Sequence, residues 1–364
     1  MQGKELYIGI MSGTSLDGVD VVLCEVDAGS CRLLHSLEYP LPKKLKDEIL
    51  STINATTTIQ EVGALHSRLG KLFADAVTAL LEKFHIDPNA VTAIGLHGQT
   101  LWHEPNAVDA FSLQLGNGAI VATQTHITTV TDFRSMDVAN GGEGAPFAPA
   151  FHHFLFGNVQ QKRAVLNIGG MANLTILEDK TLGFDVGCGN VLLDYFIDAK
   201  RSKPYDKDGT FARSGRVDTA LLENMLEDAY FKKLPPKSTG REYFNAAWLE
   251  KQLAKFPNIA DADIQRTLLE LTAKSVADEL LRFNVAELIV CGGGAKNSFL
   301  LERIKILSNS QVVQSSHYEV DGDFLEAMLF AWLAYKRIHN ESVALKDITG
   351  TKKDSILGAI YEKN

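Results

Sequence analysis

Ile8-Gly9-Ile10-Met11-Ser12-Gly13-Thr14-Ser15-Leu16-Asp17-Gly18-Val19-Asp20-Val21-Val22 is the stretch on which the fold turns. A short apolar run enters a segment of glycine, hydroxyl residues and one carboxylate. β-Branched residues alternating with acids leave it. That is the grammar of strand, tight polar turn and strand. A two-residue hairpin turn needs only Asn-Gly or a similar pair, and Ser12 to Gly18 is longer and more polar than that. Glycine lets an anion reach main-chain N–H groups, and hydroxyls add donors. The loop is therefore a candidate phosphate contact, and hairpin geometry alone is the competing reading.

Outward from this hairpin, Leu33 to Tyr39 reads as a third strand. Leu65, Leu69, Leu72, Phe73, Val77 and Leu80 keep helical spacing, which predicts a helix over Ile59 to Phe84. Val91 to Leu96 has the unbroken apolar run of a buried strand and leads into His97-Gly98-Gln99-Thr100. The grammar then returns. Ala164 to Ile168 is a strand, Gly169-Gly170-Met171-Ala172-Asn173 a tight turn, and Leu174 to Leu177 the returning strand. Phe184 to Asn190 reads as a second glycine-rich turn opening a helix at Val191. A long helix covers Asp263 to Phe283, and Glu287 to Val290 is a strand running into Gly292-Gly293-Gly294. Helices follow from Ser298 and over Phe324 to Ile338.

This echo predicts two related α/β halves; no short period supports a solenoid. The length of 364 residues suits two or three compact domains. The expected division is 1–133, with 340–364 returning to it, and 134–339. Asn140 to Pro146 reads as a hinge or a substrate loop, and the polar segment 201–245 as an excursion over the surface.

Composition narrows the function. Hydrophobic residues make up 45% and charged residues 22%, the balance of a soluble globular protein. A net charge of −9 and the lack of a basic stripe argue against nucleic acid. The apolar run Leu6 to Met11 is too short for a signal-peptide core or a membrane span, so a cytoplasmic protein with no membrane partner is expected. Four cysteines without a C-x-x-C pair suit reduced thiols. His97 and His103 lie six apart and His152 and His153 are adjacent, neither a metal-pair spacing. The metal ligands stay unknown, and Mg2+ is expected to arrive with a bound phosphate compound, held by phosphate and water. Neither a G-x-x-x-x-G-K-[ST] loop nor a dinucleotide G-x-G-x-x-G occurs.

Three further places can carry chemistry. The Gly169-Gly170 turn is ordinary geometry by itself and gains weight by echoing the first hairpin. Gly292-Gly293-Gly294 follows a strand and precedes a helix, so either a ligand approaches the main chain there or the turn is merely tight. Asp185 precedes a Gly-x-Gly turn. It suits a general base or a helix cap, although Asn190 is the better cap candidate.

Taken together, these motifs resemble the anhydro-N-acetylmuramic acid kinase family. Met11 to Asp20 is similar to its opening signature, and His97-Gly98-Gln99-Thr100, Thr131-Asp132-Phe133-Arg134, Asn167 to Asn173, Phe184-Asp185, Gly189-Asn190 and Cys291 to Ala295 follow in family order. The resemblance implies an α/β fold of the sugar kinase/Hsp70/actin (ribonuclease H-like) type, with two related domains and a central interdomain cleft. It implies a homodimeric phosphotransferase of peptidoglycan recycling, acting on an alcohol group. ATP and water would open 1,6-anhydro-N-acetylmuramic acid and phosphorylate O6, giving N-acetylmuramic acid 6-phosphate. Carried over, Ser12, Gly13, Thr14, Ser15, Leu16, Asp17, Gly18 and Val19 hold the ATP phosphates. Gly169 and Gly170 form a second phosphate turn, and Gly292, Gly293 and Gly294 the adenosine side. Asp185 activates water, and His97, Arg134, Asp185 and Glu326 meet the sugar. For Arg134 the alternatives are the lactyl carboxylate and an internal pair with Asp132 or Asp137. For Glu326 the alternative is a solvated, dipole-stabilising role. Cys188 stands where the family often has proline, which alters turn rigidity. Rival readings are another sugar or acetate kinase of this superfamily and an Hsp70- or actin-like ATPase.

Overall fold

The structure is a computed structural model that describes residues 3–13, 16–157 and 160–363. Its contacts divide the chain into two compact units, 1–155 with 324–364, and 156–323.

In the first unit, β1 (Glu5–Met11), β2 (Gly18–Val26) and β3 (Cys31–Pro40) form an antiparallel meander. β4 (Val91–Leu96) pairs parallel with β1, and β5 (Gln99–Glu104) and β6 (Phe111–Leu115) form a separate hairpin. β7 (Thr129–Thr131) pairs parallel with β4. A parallel neighbour requires a crossover. The helix Ile59–Phe84 lies on the connection from β3 to β4; a Thr58–Glu61 capping box starts it and His85 in the left-handed region ends it. Its stripe Leu65, Leu69, Phe73, Val77 and Leu80 is buried with Ile8, Ile10, Val21 and Ile94. The helix Leu325–Ile338 packs against β1 and β4 as well. It comes so close that a Cβ on Gly9 would lie 1.9 Å from the Ala327 carbonyl oxygen, and one on Gly95 1.9 Å from that of Phe330. With helices packed on it, β1 reads as an unbroken apolar run, not an alternating one.

The second unit repeats the scheme. β8 (Arg163–Ile168), β9 (Met171–Leu177) and β10 (Leu182–Cys188) are antiparallel, while β11 (Glu287–Cys291) runs parallel to β8 and β12 (Gln311–Gln314) parallel to β11. β13 (Ala359–Tyr361) belongs to the first unit, where it pairs with β7. The sheet orders are β13-β7-β4-β1-β2-β3 and β10-β9-β8-β11-β12. In each, the first strand lies between the second and the fourth, and the third and fifth lie outside these. That shared order, with a three-strand meander continued by parallel strands, is the ribonuclease H-like sheet twice over.

Three expectations change. The division falls after Leu155 and after Asp323 instead of near 133 and 339, because the closing helix Leu325–Ile338 covers the first sheet. Asn140 to Pro146 therefore lies inside the first unit. The segment 201–245 is no mere surface excursion: Ala212, Leu221, Met225, Tyr230 and Phe244 are fully buried in the second core. Phe184 to Cys188 continues a strand, so the turn is shorter than expected and Asp185 sits within β10. Among the described residues no helix is long and apolar enough to cross a membrane.

Candidate active site

The hairpin between β1 and β2 is anchored from within. Ser12 is buried, and its hydroxyl donates to Gln99 Oε1 at 2.7 Å, so its proton is already committed. Leu16 adopts a φ of 55° and drops its side chain into the core, while its N–H donates to the Gly13 carbonyl at 3.2 Å. Val19 is buried in β2 opposite Tyr39. Asp17 is exposed, 3.9 Å from Lys46. Thr14 and Ser15 lie outside the described residues. A cavity of about 510 Å3 opens beside the loop, bordered by Gly13, Asp17, Asp20, Tyr39 and Glu326.

The first unit also gathers His97, Arg134 and Glu326. Arg134 Nε and Nη2 lie 3.2 and 2.9 Å from His97 Nε2, and Nη1 donates to the Gly144 carbonyl at 2.7 Å. With Nε2 facing guanidinium donors, the neutral imidazole carries its proton on Nδ1. Burial, reinforced by Arg134, pushes the His97 pKa down to about 3. Burial lowers Arg134 to about 10 against the opposing pull of Glu326 and Asp137. Glu326, in the first turn of Leu325–Ile338, is raised by desolvation, with Arg134 opposing. Neither internal ion pair weighed for Arg134 forms as a direct contact: Asp132 accepts from Ser135 at 2.5 Å, while Asp137 accepts from Gly144 N–H at 2.7 Å and Thr349 at 2.8 Å.

The second unit brings the remaining sites together. The Gly169 and Gly170 carbonyls accept from the N–H groups of Asn190 and Val191 at 2.9 and 3.1 Å, binding the β8–β9 turn to the start of helix Val191–Arg201. Gly189 is needed there, since a Cβ would lie 2.5 Å from the Gly169 oxygen. Gly169 N–H bonds to the Met171 carbonyl at 3.0 Å, and Gly170 N–H makes no main-chain bond among the described residues. Asn190 stands at the N-cap position without a side-chain cap; its amide is 3.4 Å from the Ile168 carbonyl. Thr272 Oγ1 holds the Cys188 and Gly189 carbonyls at 3.0 Å each, so the turn is braced independently of the residue at 188. Burial raises the Cys188 thiol to about 12.

The three glycines after β11 have different tasks. Gly292 adopts a φ of 77°, and its Cβ would strike Asn167 Oδ1 at 2.2 Å; a Cβ on Gly294 would strike Ile168 Cγ2 at 2.3 Å. Only Gly293 is open, with nothing within 4 Å. A 3-10 turn follows, and the α-helix begins later, at Ser298, capped by Asn297. Beside the turn, Cys291, Gly292, Ala295, Gln314, Ser315 and Val320 border a cavity of about 410 Å3.

Asp185 lies on edge strand β10, where a bulge falls between it and Gly187. Such a bulge re-aims a side chain. Its Oδ2 accepts from Ser238 Oγ and Thr239 N–H, both at 2.9 Å, so it does not cap a helix. Burial raises its pKa, the Thr239 and Ser238 bonds oppose that rise, and Glu242 adds to it. Sequence reasoning missed Ser238 and Thr239, along with Arg241, whose guanidinium lies 3.3 Å from where a Gly170 Cβ would sit. It also missed Asp194, raised by burial to about 6 with Arg241 opposing. The dense polar run Lys237 to Glu242 was the available signal, set aside as surface.

The family model described as anhydro-N-acetylmuramic acid kinase matches residues 5–363. A protein named anhydro-N-acetylmuramic acid kinase from a Sulfurovum species is 56% identical over 360 residues, covering 98% of this chain and 99% of that one. One of the same name from Sulfurimonas denitrificans is 49% identical, covering 99% of this chain and all of its own. A third, from Pasteurella multocida, is 44% identical over 98% of this chain and 97% of its own.

Proposed function

The chain belongs to the anhydro-N-acetylmuramic acid kinase family, and from that premise we propose that it opens 1,6-anhydro-N-acetylmuramic acid with water and phosphorylates O6 at the expense of ATP. The full-length match over residues 5–363 carries this reading. Asp185 takes a proton from water, and the water oxygen bonds to C1. The C1–O6 bond breaks, its electron pair stays on O6, and O6 attacks the γ-phosphorus. The β–γ bridging bond breaks and ADP leaves, giving N-acetylmuramic acid 6-phosphate. A half-buried carboxylate with a raised pKa is a competent base near neutrality.

The phosphate contacts in this reading are the loop Ser12 to Val19 and the Gly169-Gly170 turn. The supporting feature of the latter is the Gly170 N–H, which makes no main-chain bond among the described residues. Gly292 to Gly294 serve the adenosine, with Gly293 as the open position. His97, Arg134 and Glu326 serve the sugar: Arg134 stays cationic and suits the lactyl carboxylate. In this reading Mg2+ enters as the ATP chelate, where it neutralises phosphate charge. The reading also takes the protein as a cytoplasmic homodimer in peptidoglycan recycling.

The test is incubation with magnesium-ATP and the anhydro sugar in 18O-labelled water. The expected product carries one phosphate at O6 and one labelled oxygen at C1. Indifference to the anhydro sugar with ready phosphorylation of a simple hexose overturns the reading.

A further inference from the structure

Asp185 is held by more than its own strand. Because β10 is an edge strand, the Asp185 N–H and C=O find no strand partner on the outer side. The N–H donates instead to the Lys237 carbonyl at 2.9 Å, and the C=O accepts from Tyr230 Oη at 2.7 Å. The next two residues after Lys237 supply both donors to the carboxylate. The segment Lys237-Ser238-Thr239 thus runs along Asp185 like a short added strand.

One contact fixes that segment from beneath. Lys237 Nζ pairs with Glu279 Oε1 at 2.9 Å, with side-chain exposures of 3% and 4%. The ammonium also lies 5.3 Å from the centre of the Tyr230 ring. Glu279 is on the long helix Asp261–Arg282, where Arg282 Nε approaches its second oxygen at 3.1 Å. Burying an ion pair costs desolvation that Coulomb attraction roughly offsets, and an apolar pair of equal volume commonly stabilises as well or better. Stability alone therefore does not account for this pair. What charge supplies is a single register: an ammonium shifted by one residue would lose the buried Glu279 carboxylate.

We propose that the buried Lys237–Glu279 pair, with Tyr230, is a positioning latch that holds Ser238 and Thr239 against Asp185 and thereby sets the aim and proton affinity of the base. The inference rests on the reading of Asp185 as that base. The charged and titratable groups around Asp185 are Tyr230 from the short helix before the segment, Lys237 within it, Glu242 after it and Glu279 beneath it.

The test is the double variant K237M/E279L, assayed for turnover of the anhydro sugar across pH. It removes one cation and one anion, so net charge is unchanged and a shifted profile reports the hydrogen bonds. Bonds to a carboxylate favour its charged form. Their loss raises the Asp185 pKa, so the acid limb of kcat moves upward by roughly half to one pH unit. A misaimed base lowers kcat about tenfold or more, while KM for ATP is little changed. An acid limb that stays in place in the folded double variant overturns the latch, whatever happens to kcat. Should the double variant not fold, S238A decides: it removes one exposed donor, and an acid limb moved upward supports the proposal while an unmoved one overturns it. D185N is the control for the underlying reading. Full activity in D185N refutes the base itself; an inactive D185N beside an unshifted K237M/E279L refutes only the latch.

Discussion

At Asp185 two opposing influences meet: burial lifts the carboxyl pKa, and two donors to Oδ2 pull it down, with burial the larger. The acid limb of activity should therefore lie above the ordinary carboxylate range near 3.9. Asp185→Asn keeps the shape and removes the proton acceptor, so turnover should fall by about 10²–10⁴-fold while calorimetry still detects ATP binding. In the proposed reading, the glycines after β11 separate packing from binding. Gly294→Ala meets Ile168 and should cost roughly 1–3 kcal/mol. Gly293→Ala meets nothing within 4 Å and should leave stability within about 0.5 kcal/mol, while weakening nucleotide binding. Urea unfolding and ATP titration of both variants check this. His97 and His152 are held neutral by burial, with pKa values of about 3 and 4 against an ordinary 6.5. A depressed folded pKa means the unfolded chain takes up the proton first. Stability is then complete above pH 6.5 and lost as pH falls toward those values, at about 1.4 kcal/mol per pH unit for each ring. Urea midpoints at pH 7.5 and 5.5 should show the drop, and His97→Gln should reduce it.

Elements tell which signals in the sequence were readable. Helix Ile59–Phe84 was legible because its apolar spacing, capping residue and length agree. The two hairpins were legible because glycine-rich turns interrupt β-branched runs. The extent of β10 was not, since Gly183, Gly187 and Gly189 suggest a turn where pairing with β9 actually persists to Cys188. Segment 201–245 was misread for a related reason. Its charged and turn-forming residues dominate by count, whereas Leu221, Met225, Tyr230 and Phe244 dominate by buried volume. Local composition cannot report burial created by a distant partner such as the helix Asp261–Arg282. The glycines at 9 and 95 carried a signal too, because glycine inside a strand often marks a close approach. Gly9→Ala or Gly95→Ala pushes a Cβ into the main chain of helix Leu325–Ile338, and should cost the upper end of roughly 1–3 kcal/mol. Thermal unfolding of each variant measures it.

The whole molecule is two copies of one sheet order with unequal continuity. The second unit is one uninterrupted stretch, 156–323, while the first needs both ends of the chain. Its own core, from β8 through the segment 201–245 to β12, is closed within that stretch. Residues 156–323 expressed alone should therefore show cooperative unfolding and protected amides, whereas residues 1–155 alone, lacking the helix that lies on Gly9 and Gly95, should not. Hydrogen exchange on both fragments checks the contrast. The domain echo was readable in the sequence; the true boundaries were not, because the closing helix looks equally apolar whichever sheet it serves.

That interrupted first unit has a consequence for synthesis. The ribosome delivers the sheet of the opening strands early, yet the helix that roofs it begins only at Leu325, more than two hundred residues after β4 ends at Leu96. The middle of the polypeptide can finish folding first, and the nascent beginning must wait with β1 and β4 uncovered on one side. During that interval the newborn protein exposes apolar strand surface, and it is then, more than in the finished state, that aggregation threatens.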